Sequence, residues 1–400
     1  MTRYNFDKIT NRKGSNCLKY DFAVERGKPA DVLPLWVADM DFPVSEEITK
    51  SLHAAVEHGI YGYTQPKDAY YNAVMNWMER NHNWKTEREW IVKTPGVVFA
   101  LGAAVKAFTD PGDAILIQNP VYYPFTNIIR DNDRRVVDNT LIYEKTAGQS
   151  GDNGYRIDFE DFERKLEQEH IKLFILCNPH NPVGRVWTAE ELQQLGEICL
   201  RHHVIVVSDE IHNDFVYPGY EHTVFATVDP RFAEFTVTCT APSKTFNLAG
   251  LQISNIFIPN EKLRKAFQTE IDKTGYDEPN ALGIVACEAA YRAGEDWLDQ
   301  LRAYLLKNLN FLRNFLQEKI PQIHLVEPEG TYLVWLDCSE LGITGKELDQ
   351  FIVDKAGLWL DGGSMFGPSG AAFQRVNIAC PRATLQLALD KLKTAIDGLK

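Results

Sequence analysis

The sequence has no long apolar run, no CxxC pair, no HExxH helix and no block of lysines and arginines. Each absence closes off a reading. Its continuous apolar stretches, such as Val204–Val207, are far too short to cross a bilayer, which takes about 20 residues. Residues 1–8 contain no apolar core, so no signal peptide is expected. The seven cysteines are odd in number and show no paired spacing, and they read as reduced thiols of a cytoplasmic protein. His202-His203 has no carboxylate at ligand spacing, so no metal site is expected. Fifty-five acidic residues against 42 basic ones give a formal charge of −13, which argues against nucleic acid or an anionic membrane as the main partner. No internal repeat or low-complexity segment is visible.

What is present is globular composition, 44% hydrophobic and 24% charged, over 400 residues. That length suggests a large domain and a smaller one. Strands are expected at Ile91–Thr94, Ala114–Asn119, Arg135–Thr140, Ile171–Cys177, Val204–Ser208, Thr236–Cys239 and Gln252–Ile258. Several are continuously apolar, as strands covered on both faces by helices are. Helices are expected after Ser45, with Gly59 as the stop, and after Thr188, where Glu191 completes a capping box. The reading is α/β: a mainly parallel seven-stranded sheet with helices on both faces, within residues 45–290. Beyond about residue 290 the pattern changes. A long helix from Trp297 to Leu316 leads to extended pieces at Ile323–Val326 and Thr331–Asp337, a helix at Lys346–Lys355, a strand at Leu358–Leu360 and a last helix from Arg382. Residues 291–400, joined by 1–44, are expected to form a smaller, discontinuous α+β domain.

Ligands of open α/β sheets bind at the C-terminal ends of the strands. Five strand ends carry a polar or aromatic feature: Pro95-Gly96-Val97-Val98, Pro120-Val121-Tyr122-Tyr123, Asn178-Pro179-His180-Asn181, Asp209-Glu210-Ile211-His212 and Thr240-Ala241-Pro242-Ser243-Lys244. Such a set meets the needs of pyridoxal 5′-phosphate. Its aldehyde requires a lysine amine, and its ring nitrogen requires an acid partner to stay protonated. An aspartate about 4 Å away, at an effective dielectric of about 20, favours that proton by up to roughly 4 kcal/mol before desolvation. The phosphate seeks backbone N–H groups at a helix start, and the ring face seeks an aromatic.

Asn181-Pro182-Val183-Gly184, Ser208-Asp209-Glu210-Ile211-His212, Ser243-Lys244-Thr245-Phe246 and Arg375–Arg382 occur in the order and at distances that resemble the fold-type I, aspartate-aminotransferase superfamily of pyridoxal phosphate enzymes. Leu35–Pro43 (LWVADMDFP) and Gly62-Tyr63-Thr64 resemble one branch of it, the MalY/PatB-type cystathionine β-lyases or C–S lyases. The resemblance implies that Lys244 is the Schiff-base lysine and general acid/base, and that Asp209 is the partner of the ring nitrogen. It implies that Asn181 donates to the 3′ oxygen, that His212 faces the ring and that Tyr122 stacks on it. Gly96, Val97, Val98 and Ser243 would hold the phosphate, with Tyr63 reaching the phosphate of a neighbouring subunit in a homodimer with a shared active site. Arg375 would pair with the substrate α-carboxylate, with Tyr123 and Ala38 also contacting substrate. Trp36 and Asp39 mark the branch without a derived duty beyond a wall at the substrate entrance. Two departures stand out. His212 occupies a position where many aminotransferases have Tyr. Ala249-Gly250-Leu251-Gln252 lacks the phosphate-binding arginine, which shifts that load to N–H groups and hydroxyls.

The branch implies β-elimination from cystathionine or another cysteine S-conjugate, giving a thiol, pyruvate and ammonia. A class I/II aminotransferase, or a regulatory interaction protein sharing the fold, are the alternatives. No clear second arginine for a distal carboxylate is visible, which favours neutral or bulky leaving groups.

Overall fold

A computed structural model describes residues 4–145 and 153–399. Seven strands form the central sheet: β1 (Ile91–Thr94), β2 (Ala114–Ile117), β3 (Arg135–Asp138), β4 (Leu173–Cys177), β5 (Ile205–Asp209), β6 (Thr236–Thr240) and β7 (Ser254–Phe257). Their order is β1-β7-β6-β5-β4-β2-β3. Only β7 runs against the rest, antiparallel to both β1 and β6. The pairs β2/β3, β2/β4, β4/β5 and β5/β6 are parallel. Every residue of β4 (LFILC) is buried, which is why that strand reads as one apolar run and not as an alternation.

Sheet strands stop earlier than the apolar runs suggest where side chains take over the ladder. The Asn119 N–H donates to Asp138 Oδ1 at 3.0 Å, so β2 ends at Ile117 and not at Asn119. β5 instead runs one residue further and carries Asp209 as its last residue. The expected caps form. Ser45 Oγ accepts from the Ile48 N–H at the start of helix Glu46–His58, and Gly59 ends that helix at φ 72°, in the left-handed region. Thr188 and Glu191 make the reciprocal capping box of helix Ala189–Arg201.

After the long helix Glu295–Lys319, a four-stranded sheet is built from His324–Leu325, Leu333–Asp337, Phe373–Asn377 and Asp361–Gly362, in that spatial order. Phe373–Asn377 was not expected as a strand. It lies between Leu333–Asp337 and Asp361–Gly362, so its mixed sequence FQRVN is fully buried by its neighbours. Leu33 and Pro34 pair in parallel with Leu358 and Trp359, which fastens the N-terminal segment to this part of the molecule. Among the described residues no helix is long and apolar enough to cross a membrane.

Candidate active site

One cleft lies over the C-terminal ends of β1, β4, β5 and β6. Its wall contains Gly96, Val97 and Val98 after β1, Tyr122 after β2, and Asn181 after β4. Asp209 and His212 from β5 and its turn, Ser243 and Lys244 after β6, and Ala38 from the N-terminal segment complete it. Tyr123 and Arg375 stand just outside, and Tyr63 is 94% exposed and does not line the cleft of its own chain.

Lys244 belongs to a short helical turn, Pro242–Thr245, entered directly from β6. Its Nζ donates to the Ala38 carbonyl at 3.1 Å. Burial, helped by the charge of Arg375, pulls the amine down to about 8, against the opposing pull of Asp39 and Asp209. The neutral amine is therefore far more accessible than on a surface lysine. Asp209 shows the opposite case. Burial lifts its carboxyl to about 7, although the Ile211 N–H, 3.2 Å from Oδ1, and Lys244 work the other way. No helix follows it; residues 211–214 form turns. A buried acid raised in this way is short of a cation.

His212 is held neutral. Burial and the charges of Lys244 and Arg375 drive its pKa far down, and its Nδ1 is buried without a partner. Its ring meets that of Tyr332 edge-on, with centroids 5.8 Å apart. Gly96 is the extended residue before helix Val97–Phe108, whose first N–H groups have no intrahelical acceptor and face anions well. Thr94 Oγ1 donates to the Gly96 carbonyl at 3.1 Å and fixes this turn. Ala249 and Ile253 line the same cleft, at either end of the Gly250-Leu251-Gln252 run that carries no arginine.

Arg375 is buried on the strand Phe373–Asn377. Its Nη1 donates to Asn181 Oδ1 at 2.9 Å, and its Nη2 donates to the Trp36 carbonyl at 3.1 Å and to Asp361 Oδ2. Asp361 stands directly opposite Arg375 across the strand pair. The contact commits Asn181 Oδ1 and leaves its Nδ2 as the donor.

Sequence reasoning missed the residues that hold the N-terminal segment over the cleft. Tyr332 OH donates to the Ala38 carbonyl at 2.9 Å, sharing that oxygen with Lys244. Asn377 Nδ2 donates to the carbonyls of Val37 and Asp39, both at 2.7 Å. Asn247, three residues past the lysine, bonds Met40 and Phe42 through their backbones. Asp39 has a duty after all. It pairs with Arg12 and, at 3.7 Å, with Lys19, which is fully buried and also donates to Asp41 at 3.1 Å. Only the LWVADMDFP run pointed to this region, and it gave no partner.

The donors and acceptors suit a phosphorylated pyridine aldehyde. They comprise an amine of lowered pKa, a buried acid short of a cation, an aromatic wall and a helix start, all in one cleft. The chain matches the family Aminotransferase class I and II over residues 30–392. Cystathionine beta-lyase PatB of Bacillus subtilis is 46% identical over 392 residues, covering 98% of this chain and 100% of the relative. Cystalysin from Treponema denticola, whose crystal structure contains a pyridoxal 5′-phosphate cofactor, superposes with a TM-score of 0.95 at 38% identity over the whole of both chains. The pyridoxal phosphate-bound C–S lyase from Staphylococcus hominis gives 0.91 at 35%, covering 99% of this chain and 98% of that one.

Proposed function

The chain belongs to the aminotransferase class I and II family, and from that premise we propose that it is a pyridoxal 5′-phosphate-dependent carbon–sulfur β-lyase. It cleaves the Cβ–S bond of cystathionine or a related cysteine S-conjugate, consuming one water and yielding a thiol, pyruvate and ammonia. The observation that carries this reading is the full-length likeness to a cystathionine β-lyase, at 46% identity, around a cleft lined by Lys244, Asp209, Asn181, His212 and Tyr122.

The bound cofactor supplies an electron sink for the pair left when the Cα–H bond breaks. The chain does the rest. Lys244 would hold the aldehyde, and its amine, which burial in the cofactor-free chain lowers to about 8, would take the proton at Cα. Asp209 would hold the proton on the ring nitrogen, the cation that its buried carboxyl lacks. Asn181 would donate to the 3′ oxygen through its Nδ2, with Tyr122 and the neutral His212 in the cleft wall to take the ring. The N–H groups of Gly96, Val97 and Val98 and the hydroxyl of Ser243 would hold the phosphate. Arg375 receives the α-carboxylate with its fork already oriented by Asn181, Trp36 and Asp361. Ala38 and Tyr123 border the substrate.

Tyr63 completes the phosphate site of a second copy, so the working unit is a homodimer. Its 94% exposure, beside exposed Ile60 and Tyr61, supports that reading. The same reading divides the chain into a large lobe of residues 45–290, which carries the seven-stranded sheet, and a small one of 1–44 with 291–400, which carries the four-stranded sheet. Seven unpaired cysteines suit the cytoplasm.

The test is to incubate the purified holoenzyme with L-cystathionine and no keto-acid acceptor. Pyruvate and thiol should appear in equal amounts. The visible absorbance band should be lost on borohydride reduction and be missing in Lys244→Ala. Release of neither thiol nor pyruvate, with the amino group passed to an added keto acid and the C–S bond intact, would make the protein an aminotransferase instead.

A further inference from the structure

Asp209 has a thiol on either side. Cys177 stands opposite it on β4, and Cys239 stands opposite it on β6. Neighbouring strands lie about 4.8 Å apart and paired residues point to the same face, so the three side chains form one row across the sheet. The ladder is closed at this level. The Asn178 N–H donates to the Asp209 carbonyl at 3.0 Å, and the Glu210 N–H donates to the Cys239 carbonyl at 3.0 Å. Both thiols are buried, in an apolar cluster that includes Val97, Ala100 and Leu101 of the helix on this face.

One residue earlier the same strands do the opposite. Ser208 and Thr238 pair on β5 and β6, with their side chains on the other face. The buried acid there is Glu210. It receives the Ser208 hydroxyl at 2.8 Å and the Phe225 N–H at 3.1 Å on Oε1, and His222 Nε2 lies 3.0 Å from Oε2. One buried acid is thus served by a hydroxyl, and its neighbour is walled by thiols. A hydroxyl donates strongly to a carboxylate, whereas an S–H is a weak donor of similar size. The proton of Cys177 is also directed elsewhere, because its Sγ donates to the Pro179 carbonyl and accepts the Asn181 N–H, both at 3.5 Å. Lys244 favours the ionised form of Asp209 and Glu210 opposes it, while Asp209 itself raises the Tyr122 phenol and both thiols. Among the described residues only the Ile211 N–H is hydrogen-bonded to its carboxylate.

We propose that Cys177 and Cys239 act on the cofactor through Asp209. As weak donors of serine's size they enclose the carboxylate without satisfying it, and so reserve it for a cation that arrives with the ligand. The proposal rests on the pairing of Asp209 with the ring nitrogen and names what keeps that acid available.

The experiment compares Cys239→Ser with Cys239→Ala, and Cys177→Ser with Cys177→Ala. Serine adds a donor at nearly constant volume, whereas alanine adds none and leaves the larger gap. In the cofactor-free protein, urea midpoints from about pH 4 to 7 report the proton on Asp209, whose raised folded value makes stability fall as pH rises. A charge-assisted hydrogen bond in Cys239→Ser should lower that value by about one to two pH units and flatten the slope, while Cys239→Ala keeps it. The apparent Kd of pyridoxal 5′-phosphate at about pH 8, read from the visible band, should weaken about tenfold in the serine variant and less than about twofold in the alanine variant. A carboxylate already served by a hydroxyl gains less from a cation. A purely structural role gives the reverse order, because alanine disturbs the packing more. At residue 177 the order should be the same and the difference smaller, since a serine there also reaches the Pro179 carbonyl; if Cys239→Ser does not fold, this pair decides. A serine variant with wild-type Kd and slope, or an alanine variant that binds as weakly as the serine one, overturns the proposal. Asp209→Asn separates it from the reading beneath it: if that variant binds the cofactor as tightly as the wild type, the pairing of Asp209 with the ring nitrogen falls instead.

Discussion

Asp209 and Asp214 are both deeply buried and share one stretch of chain at the end of β5, yet they are opposites. Asp214 is surrounded by donors from its own protein. His82 Nε2 lies 3.0 Å from Oδ1, Trp77 Nε1 donates to the same oxygen at 3.2 Å, and Thr245 Oγ1 donates to Oδ2 at 2.6 Å. Burial works to raise its pKa, but His82, Arg302 and Thr245 outweigh it and hold the carboxyl low. Asp209 has one backbone N–H and the distant charge of Lys244, and burial wins. An acid satisfied by its own chain is part of the frame. An acid left wanting a cation belongs to whatever the chain binds. Through Thr245 the two are linked, because the hydroxyl held by Asp214 is on the residue next to Lys244.

The sharpest way to break this contrast is Asp209→Asn. Turnover of the loaded enzyme should fall by about a thousandfold, the equivalent of roughly 4 kcal/mol. The cofactor-free protein should respond in the other direction. With a folded value near 7 against an ordinary 3.8, the folded chain keeps a proton that the unfolded chain has given up. The stability of the cofactor-free wild type therefore falls as pH rises from about 4 to 7, and that part of the slope should vanish in Asp209→Asn. Urea midpoints across this range measure it. If the variant loses stability at pH 7, the carboxyl is not short of a cation.

Asp214→Asn should reverse the pattern. Breaking a buried pair costs about 3–5 kcal/mol, read by urea unfolding, while the visible band of the bound cofactor persists. Because its folded value is depressed, the stability Asp214 contributes is present above its unfolded value, and it is lost as pH falls through the folded one. A variant that shed the cofactor without losing stability would erase the distinction between the two acids.

Thr245→Val removes one hydrogen bond to a charged group, worth about 2 kcal/mol, and should show as a lowered urea midpoint. Smallest of all is Tyr332→Phe. It leaves the Ala38 carbonyl to Lys244 alone, and kcat/KM should drop about fivefold, close to 1 kcal/mol.

Much of this was legible before any coordinates. The sheet could be read because buried strands such as LFILC are unbroken apolar runs, and the helix starts because Ser45, Thr188 and Glu191 cap locally. The cleft could be read because a parallel sheet gathers its strand ends on one edge, so Gly96, Asn181, Asp209 and Lys244 converge whatever the loop details. What escaped depends on contacts between segments hundreds of residues apart. The Trp36 carbonyl under Arg375 and the Val37 and Asp39 carbonyls on Asn377 follow from how the N-terminal segment meets the strand Phe373–Asn377. No local period or cap encodes such a meeting. Even the strand holding Arg375 is hidden, since FQRVN has the polarity of a surface segment and is buried only by its neighbours.

The clasp on Ala38, Val37 and Asp39 has a consequence for biosynthesis. A ribosome releases residues 33–41 well before Trp359 and Asn377, which hold them in place; Asn377 follows Val37 by 340 residues. A nascent chain thus exposes the lysine and its acid long before the ceiling above them exists.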